Sequence, residues 1–508
     1  VSAKREGSTV TITVVSDQQG RYRFPAKKLA AGQYALRIRA VGYDLDDPGA
    51  VEIAPHHAKT VDLRLKKTQN LALQLTSAEW IMSVPATEAQ KTSLLNCVNC
   101  HTLQRIVRSG HTADEFLLVL ERMGSYANQS FPLHPQRRLA TRALEVRGDE
   151  LQQARRRQAE FLSSINLSSG SNWQYELRKL PRPTGRATRV IITEYDLPRP
   201  TIQPHDVILD ADGMVWHSSF GEQFIGKLDP ATAEYTQIPV PVLKSGSPTG
   251  NLGLKTGPDG NLWFGMMFQG AIAKLDRKTG KIETWSLPPD WNKDNTQVNM
   301  VGPQHMNVDG KVWHQNNGIA AIHRIDLASG NVDTFQPFKD SKPGENHNIY
   351  DIIPDSKNNA YFTDFAQQHI GRVDAKTGKV TLYPTPTPNS APRRGLMDSQ
   401  DRIWFGEYRG HKIGMFDTKT ERFQEWAIPT PWSAPYDVEI DKNGELWTGS
   451  MTTDRVARLD PKTNQITEYL LPRSTNIRRV FVDDSTTPVT FWVGNNHGAS
   501  ILKVEPLD

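Results

Sequence analysis

GNLWFGMMFQGAIAKLD, residues 260–276, decides the fold of this chain, because six further stretches repeat its pattern. They are GMVWHSSFGEQFIGKLD (213–229), GKVWHQNNGIAAIHRID (310–326), NNAYFTDFAQQHIGRVD (358–374), DRIWFGEYRGHKIGMFD (401–417), GELWTGSMTTDRVARLD (444–460) and VTFWVGNNHGASILKVE (489–505). Their aromatic anchors, Trp216, Trp263, Trp313, Phe362, Trp404, Trp447 and Trp492, recur every forty to fifty residues. Short apolar runs with Gly or Asn turns between them follow the period of β-strands and exclude a helical solenoid. A repeat of this length with several strands per copy predicts a seven-bladed β-propeller over residues 190–508. Each unit ends in a strand such as ETWSLP or TEYLLP, whereas the seventh runs only to Pro506. TEYDLP, Thr193–Pro198, precedes the first unit and is expected to complete the seventh blade, which removes an open sheet edge.

In a propeller the start of each innermost strand faces the central channel. Reading that position from every unit gives a ring of His205, Leu252, His305, His347, Arg393, Tyr436 and Arg478. Histidines, arginines and a tyrosine converging on one channel are expected to be solvated or to hold a small anionic ligand, with His205, Arg393, Tyr436 and Arg478 as its contacts. The turns Asp210–Gly213 and Asp441–Gly444 superficially suggest calcium loops. They lack the bidentate Glu such a loop places at its twelfth position, so they read as repeated hairpin turns.

The repeat, with its pattern of Pro-His or Pro-Tyr, Asp-x-Gly-x-Leu-Trp-Phe, Ile-Gly-x-Leu-Asp and Thr-x-x-Tyr-x-Leu-Pro, resembles the streptogramin (virginiamycin B) lyase family over about residues 190–508. The resemblance implies a general base at His347 of Glu345-Asn346-His347, assistance from His305, and a divalent metal in the channel with Glu345 as a ligand. The chain departs from the family at Phe365, which stands where a second metal-binding glutamate is expected, with only Asp364 beside it to substitute. Loss of a carboxylate removes a hard oxygen ligand that Phe cannot replace.

Cys97-Val98-Asn99-Cys100-His101 contains both cysteines of the chain. Two thiols three positions apart, followed at once by an imidazole, are the attachment signature of a c-type haem: two thioethers to one porphyrin and His101 on its iron. A zinc site lacks further soft ligands nearby, and a thioredoxin-type pair leaves the histidine unexplained. Helices are predicted at Glu88–Cys97, Ala113–Met123 and Asp149–Ile165, giving a cytochrome c domain over residues 69–168. Met123 is the expected sixth iron ligand, with His134 and His111 as alternatives.

Residues 1–68 carry strand patterns at Val10–Val15, Arg21–Phe24 and Gly32–Ile38, separated by turn residues, which predict a small β-sandwich. The stretch SDQQGRYRFPAKKLAAGQYALRIRAVGYD resembles the carboxypeptidase-regulatory-like family, which implies an accessory domain. The fold class is therefore multidomain and mainly β: a small β-sandwich, an α-helical cytochrome c domain and the propeller. A net charge of +4 without a basic and aromatic stripe excludes a nucleic-acid binder. No apolar window is long enough to span a membrane. Covalent haem attachment implies export, to the periplasm or outside the cell. The expected function is electron transfer through one covalent haem c, with the propeller docking a redox partner protein or binding a small molecule. The alternative is an enzyme, a lyase or a haem-linked dehydrogenase, with its site in the propeller channel.

Overall fold

A computed structural model describes residues 1–128, 130–140, 148–167, 175–342 and 345–508. Six antiparallel four-stranded sheets form blades of a β-propeller, and an eight-stranded sheet lies beside them. In three of the hairpins one aspartate explains why the repeat folds this way. Asp441 accepts the backbone N–H groups of Asn443 (2.8 Å) and Glu445 (3.0 Å) through one oxygen, and the indole N–H of Trp447 (2.9 Å) through the other. Asp210 does the same for Asp212, Met214 and Trp216, and Asp398 for Gln400, Arg402 and Trp404. In these three hairpins a single carboxylate closes the turn and orients the aromatic anchor; Trp313 instead donates to the Asn358 carbonyl, and Trp216, Trp263, Trp313 and Trp447 are all buried.

In the fourth repeat the anchor differs from the one expected. Tyr361 pairs with Ile353 as Trp404 pairs with Leu396, so Tyr361, and not Phe362, takes the Trp place. Two adjacent aromatic residues made the choice ambiguous in sequence; the strand pairing resolves it.

The eight-stranded sheet begins with Ile477–Asp483, Thr490–Asn495 and Ser500–Pro506, continues through Val190–Asp196, and runs on into Val10–Val14, Ser2–Arg5, Gly32–Arg37 and Val51–Ile53. The strand expected at Thr193–Pro198 is present as Val190–Asp196, antiparallel to Ser500–Pro506 from Asp196 opposite Ser500 to Val190 opposite Pro506. Its other edge pairs with Val10–Val14, so neither side of it is left open. A second small sheet pairs Tyr43–Asp46 with Arg64–Lys67. Arg21–Phe24 is not a strand. Tyr22 and Phe24 instead meet edge to face and pack over Ile12, Val14 and Ile191, and the Tyr22 hydroxyl donates to the Val61 carbonyl. Their alternating pattern reflects burial of two rings without ladder pairing.

Helices Ser77–Ser83, Glu88–Leu94 and Ala113–Gly124 each begin with a capping box, in which Thr76, Thr87 and Thr112 exchange hydrogen bonds with Glu79, Gln90 and Glu115. Helix Asp149–Ser164 packs on Ala113–Gly124. Glu88–Leu94 stops short of the cysteines, which lie on a following 3₁₀ turn, Cys97–Asn99, and its C-cap Cys100. The apolar core of these helices is continuous with the propeller: Trp80, Leu95, Val98 and Phe116 belong to one cluster with Phe220, Met267, Tyr408 and Met451. Backbone contact reinforces this, with Ala78 N–H donating to the Thr452 carbonyl at 3.0 Å. The helical segment therefore sits on the propeller face where the innermost strands start. Among the described residues no helix is long and apolar enough to cross a membrane.

Candidate functional site

Strand register defines the channel ring. His205 lies three residues before Ile208, the partner of Trp216, and the same offset from the other anchors gives Leu252, Asn299, Tyr350, Arg393, Tyr436 and Arg478. All seven are buried, none more than 7% exposed. Five match the sequence expectation; His305 and His347 do not belong to the ring.

His305 lies in the turn after Val301–Gly302, where its carbonyl accepts the Val308 N–H, at the far end of that strand from Asn299. The Pro303-Gln304-His305 stretch imitates the Pro-His of the first blade, but six residues too late. His347 stands three residues before Tyr350, on the loop leading into the strand. Its Nδ1 is 2.7 Å from Asp364 Oδ2, its ring stacks on Phe338 with centroids 3.9 Å apart, and its Nε2 is 3.7 Å from Glu345. Asp364 also accepts the Asn348 N–H at 3.0 Å. Among the described residues no group of three or more His, Cys, Asp or Glu side chains is arranged to hold a metal ion. The residues present do not fit the implied divalent metal.

Beneath the ring the channel is filled by charge. Arg394 forms a bidentate pair with Asp206 (2.7 and 2.6 Å), and its Nε lies 3.9 Å from Asp437 and 4.0 Å from Asp351. Arg479 lies 3.8 Å from Asp206 and 3.7 Å from Asp437, and Lys255 3.5 Å from Asp351. Burial favours a neutral Asp206, but Arg394 and His205 outweigh it and hold the carboxyl well below its usual range. Asp437 is pushed up to about 7 by burial, against the pull of Arg394 and Arg479. Burial holds His205 down at about 3, so the ring is neutral, with Nδ1 on Asp206 (2.7 Å) and Nε2 3.0 Å from the Tyr436 hydroxyl.

Above the ring the mouth is closed by the Cys97–His101 segment itself. Tyr408 donates to the Leu95 carbonyl (2.8 Å) and Asn476 to the Val98 carbonyl (3.1 Å). Arg478 donates to the Asn99 carbonyl (2.5 Å) and Arg393 to Asn99 Oδ1 (3.2 Å). The Arg393 guanidinium is enclosed by aromatic rings, with centroids of Tyr436, Phe365, Tyr408 and Tyr350 at 4.2, 4.5, 4.6 and 5.0 Å. Those π faces suit a desolvated cation. Phe365, which replaces the expected metal-binding glutamate, is one wall of that cage.

Cys97 and Cys100 are free thiols on one tight turn, with His101 directly behind them. Burial pushes the Cys97 thiol up to about 12, with Cys100 adding to the effect, and burial raises Cys100 as well. His101 is lowered by burial, and its Nδ1 lies 2.9 Å from the Thr102 carbonyl. His497, in the turn between Thr490–Asn495 and Ser500–Pro506, stacks on Phe131 at 6.2 Å and is close enough to His101 and Arg478 for their charges to act on it. Its ring nitrogens are buried, with the Asn99 backbone near enough to act on the ring. Two free thiols on one turn and an adjacent imidazole are a donor set that fits a covalently held haem. Met123 lies half-buried on the last turn of Ala113–Gly124, His111 packs against Phe116, and the His134 backbone bridges to Phe131.

Sequence reasoning missed Asn99, Tyr408, Tyr350, Asn476 and His497 as parts of this site. Asn99 carried a signal only through its place inside the motif, and Tyr408 through its place four residues after the Trp404 anchor. The convergence of all five on one mouth depends on how the helical segment docks.

Comparison with known proteins agrees with the propeller. The model of the virginiamycin B lyase family matches residues 344–506. The crystal structure of selenomethionine-substituted virginiamycin B lyase from Staphylococcus aureus aligns with a TM-score of 0.52 at 24% identity, over 62% of this chain and 99% of that one. The same figures hold for a catalytically inactive variant of that enzyme with quinupristin. A streptogramin B lyase structure aligns with a TM-score of 0.52 at 24% identity, over 63% of this chain and 99% of its own. No curated protein matches the chain. What these similarities establish is a virginiamycin B lyase-like β-propeller fold.

Proposed function

We propose that this chain is an exported electron-transfer protein: a c-type cytochrome segment with one haem on Cys97 and Cys100, seated on a seven-bladed propeller. The strands Ile477–Asp483, Thr490–Asn495, Ser500–Pro506 and Val190–Asp196 are counted as the seventh blade, and residues 1–68 as an accessory carboxypeptidase-regulatory-like domain. The observation that carries the reading is the seating of the motif turn on Arg393, Tyr408, Asn476 and Arg478. The two guanidiniums of the ring, Arg393 and Arg478, are engaged by that turn, which argues against their serving lyase or dehydrogenase chemistry in the channel. His347, stacked on Phe338 and hydrogen-bonded through Nδ1 to Asp364, serves in this reading to fasten its loop.

A bound haem supplies reversible one-electron transfer. The chain's own part is to present two thiols for attachment, to hold His101 through the Thr102 carbonyl, and to fix the turn by hydrogen bonds from the propeller. Met123 is the sixth ligand in this reading. A redox partner protein, a dehydrogenase or another cytochrome, exchanges electrons with it. The test is expression in a host that matures c-type cytochromes. The wild type is expected to retain haem after denaturation, and Cys97→Ser with Cys100→Ser to lose it. Met123→Leu is expected to remove the weak far-red sulfur-to-iron band of the ferric protein and to lower its reduction potential. Wild-type protein without covalent haem would sink the proposal. An unchanged spectrum in Met123→Leu would move the ligand to a histidine, and His497 is then the one to replace first.

A further inference from the structure

Arg393 and Arg478 differ from every other cation in the channel. Arg394, Arg479 and Lys255 each lie within 4.0 Å of a carboxylate. Arg393 and Arg478 are 3% and 1% exposed, and among the described residues neither has an ion-pair partner. Their hydrogen bonds go to neutral acceptors: Asn99 O and Oδ1, Asn476 Oδ1 at 2.6 Å, and the Met451 sulfur at 3.1 Å. Aromatic faces surround both, since Arg478 also lies over Phe220 (5.6 Å) and Tyr436 (5.5 Å). Guanidinium groups keep their charge in such surroundings. Two buried, uncompensated positive charges are costly unless something offsets them. Both donate to Asn99, one of the two residues between the cysteines of the attachment motif.

We propose that Arg393 and Arg478 are the propeller's means of setting the reduction potential of the haem: two fixed cations beneath the attachment turn that favour the electron-rich ferrous state. The idea rests on the functional reading above. Reduction adds one negative charge to the haem, and each guanidinium stabilises that charge through a water-poor, weakly screening medium. The propeller is then an electrostatic platform, and its aromatic cage is what lets the cations stay buried next to the turn.

The test is the midpoint potential of the full-length holoprotein, measured by spectroelectrochemistry after covalent haem has been verified for each variant. Arg393→Gln and Arg478→Gln are each expected to disfavour reduction about tenfold, which is about 59 mV for a one-electron couple. Arg393→Lys and Arg478→Lys keep the charge and are expected to stay within about threefold of wild type. Asn99→Asp, which sets an anion between the two cations without altering the cage, is expected to disfavour reduction as the Gln variants do. If the Gln variants do not fold, Asn99→Asp decides alone. Haem present with potentials equal across Gln, Lys and Asp variants would overturn the electrostatic role and leave the cytochrome reading standing. Haem absent from the wild type would overturn that reading itself.

Discussion

A carboxyl group is buried at position 407, beside the Glu425 carboxylate and following Trp404-Phe405-Gly406. Burial, followed by the neighbouring Glu425, pushes Glu407 up to about 9. The folded protein therefore keeps a proton that the unfolded chain releases above about 4.5. Because the native state binds more protons over that window, stability falls as pH rises from about 4.5 to about 9, and it is recovered on acidification. Glu407→Gln keeps the shape and removes the titration. It is expected to raise the unfolding free energy at pH 8 by roughly 1–3 kcal/mol and to flatten its pH dependence, as read from urea melts at several pH values. A melt whose pH slope is unchanged by the substitution would refute this account. Glu407 lies close against Gly410, an approach that no local pattern reveals.

Among the elements, the strand Val190–Asp196 is paired along both edges. It joins the last strand of the chain to the N-terminal sheet, and six of its seven residues are buried. Ile192 is 0% exposed and packs with Val480, Val493, Leu502 and Val504. Ile192→Ala is expected to cost about 2–4 kcal/mol in equilibrium unfolding, in the range for a large-to-small core change. Loss confined to the N-terminal sheet, with propeller tryptophan fluorescence melting as in wild type, would show that this strand does not close the ring. The strand was legible in sequence because it repeats the Thr-x-x-Tyr-x-Leu-Pro unit end ahead of the first repeat. Its second partner, Val10–Val14, was not, because any exposed strand edge accepts any extended segment and sequence does not name the match.

At the scale of the whole molecule, charges from four blades meet beneath the ring, where Arg394 is shared among Asp206, Asp351 and Asp437. Arg394→Met removes the cation and leaves three buried carboxylates with only Arg479 and Lys255. We expect a loss of about 3–5 kcal/mol, measured by denaturant unfolding, with the deficit shrinking as the pH is lowered and the carboxylates protonate. A deficit independent of pH would assign Arg394 to packing alone. The sequence by itself determined the repeat, six of its seven anchors, the strand near Thr193–Pro198 and the Cys97–His101 motif, since each is written in spacing and residue type. The structure set Arg393 and Arg478 against Asn99, replaced His305 and His347 with Asn299 and Tyr350 in the ring, and turned the channel mouth into a seat for the motif. Strand register and domain docking bring together residues hundreds of positions apart, and that juxtaposition is set by packing over the whole fold, where no local pattern can record it.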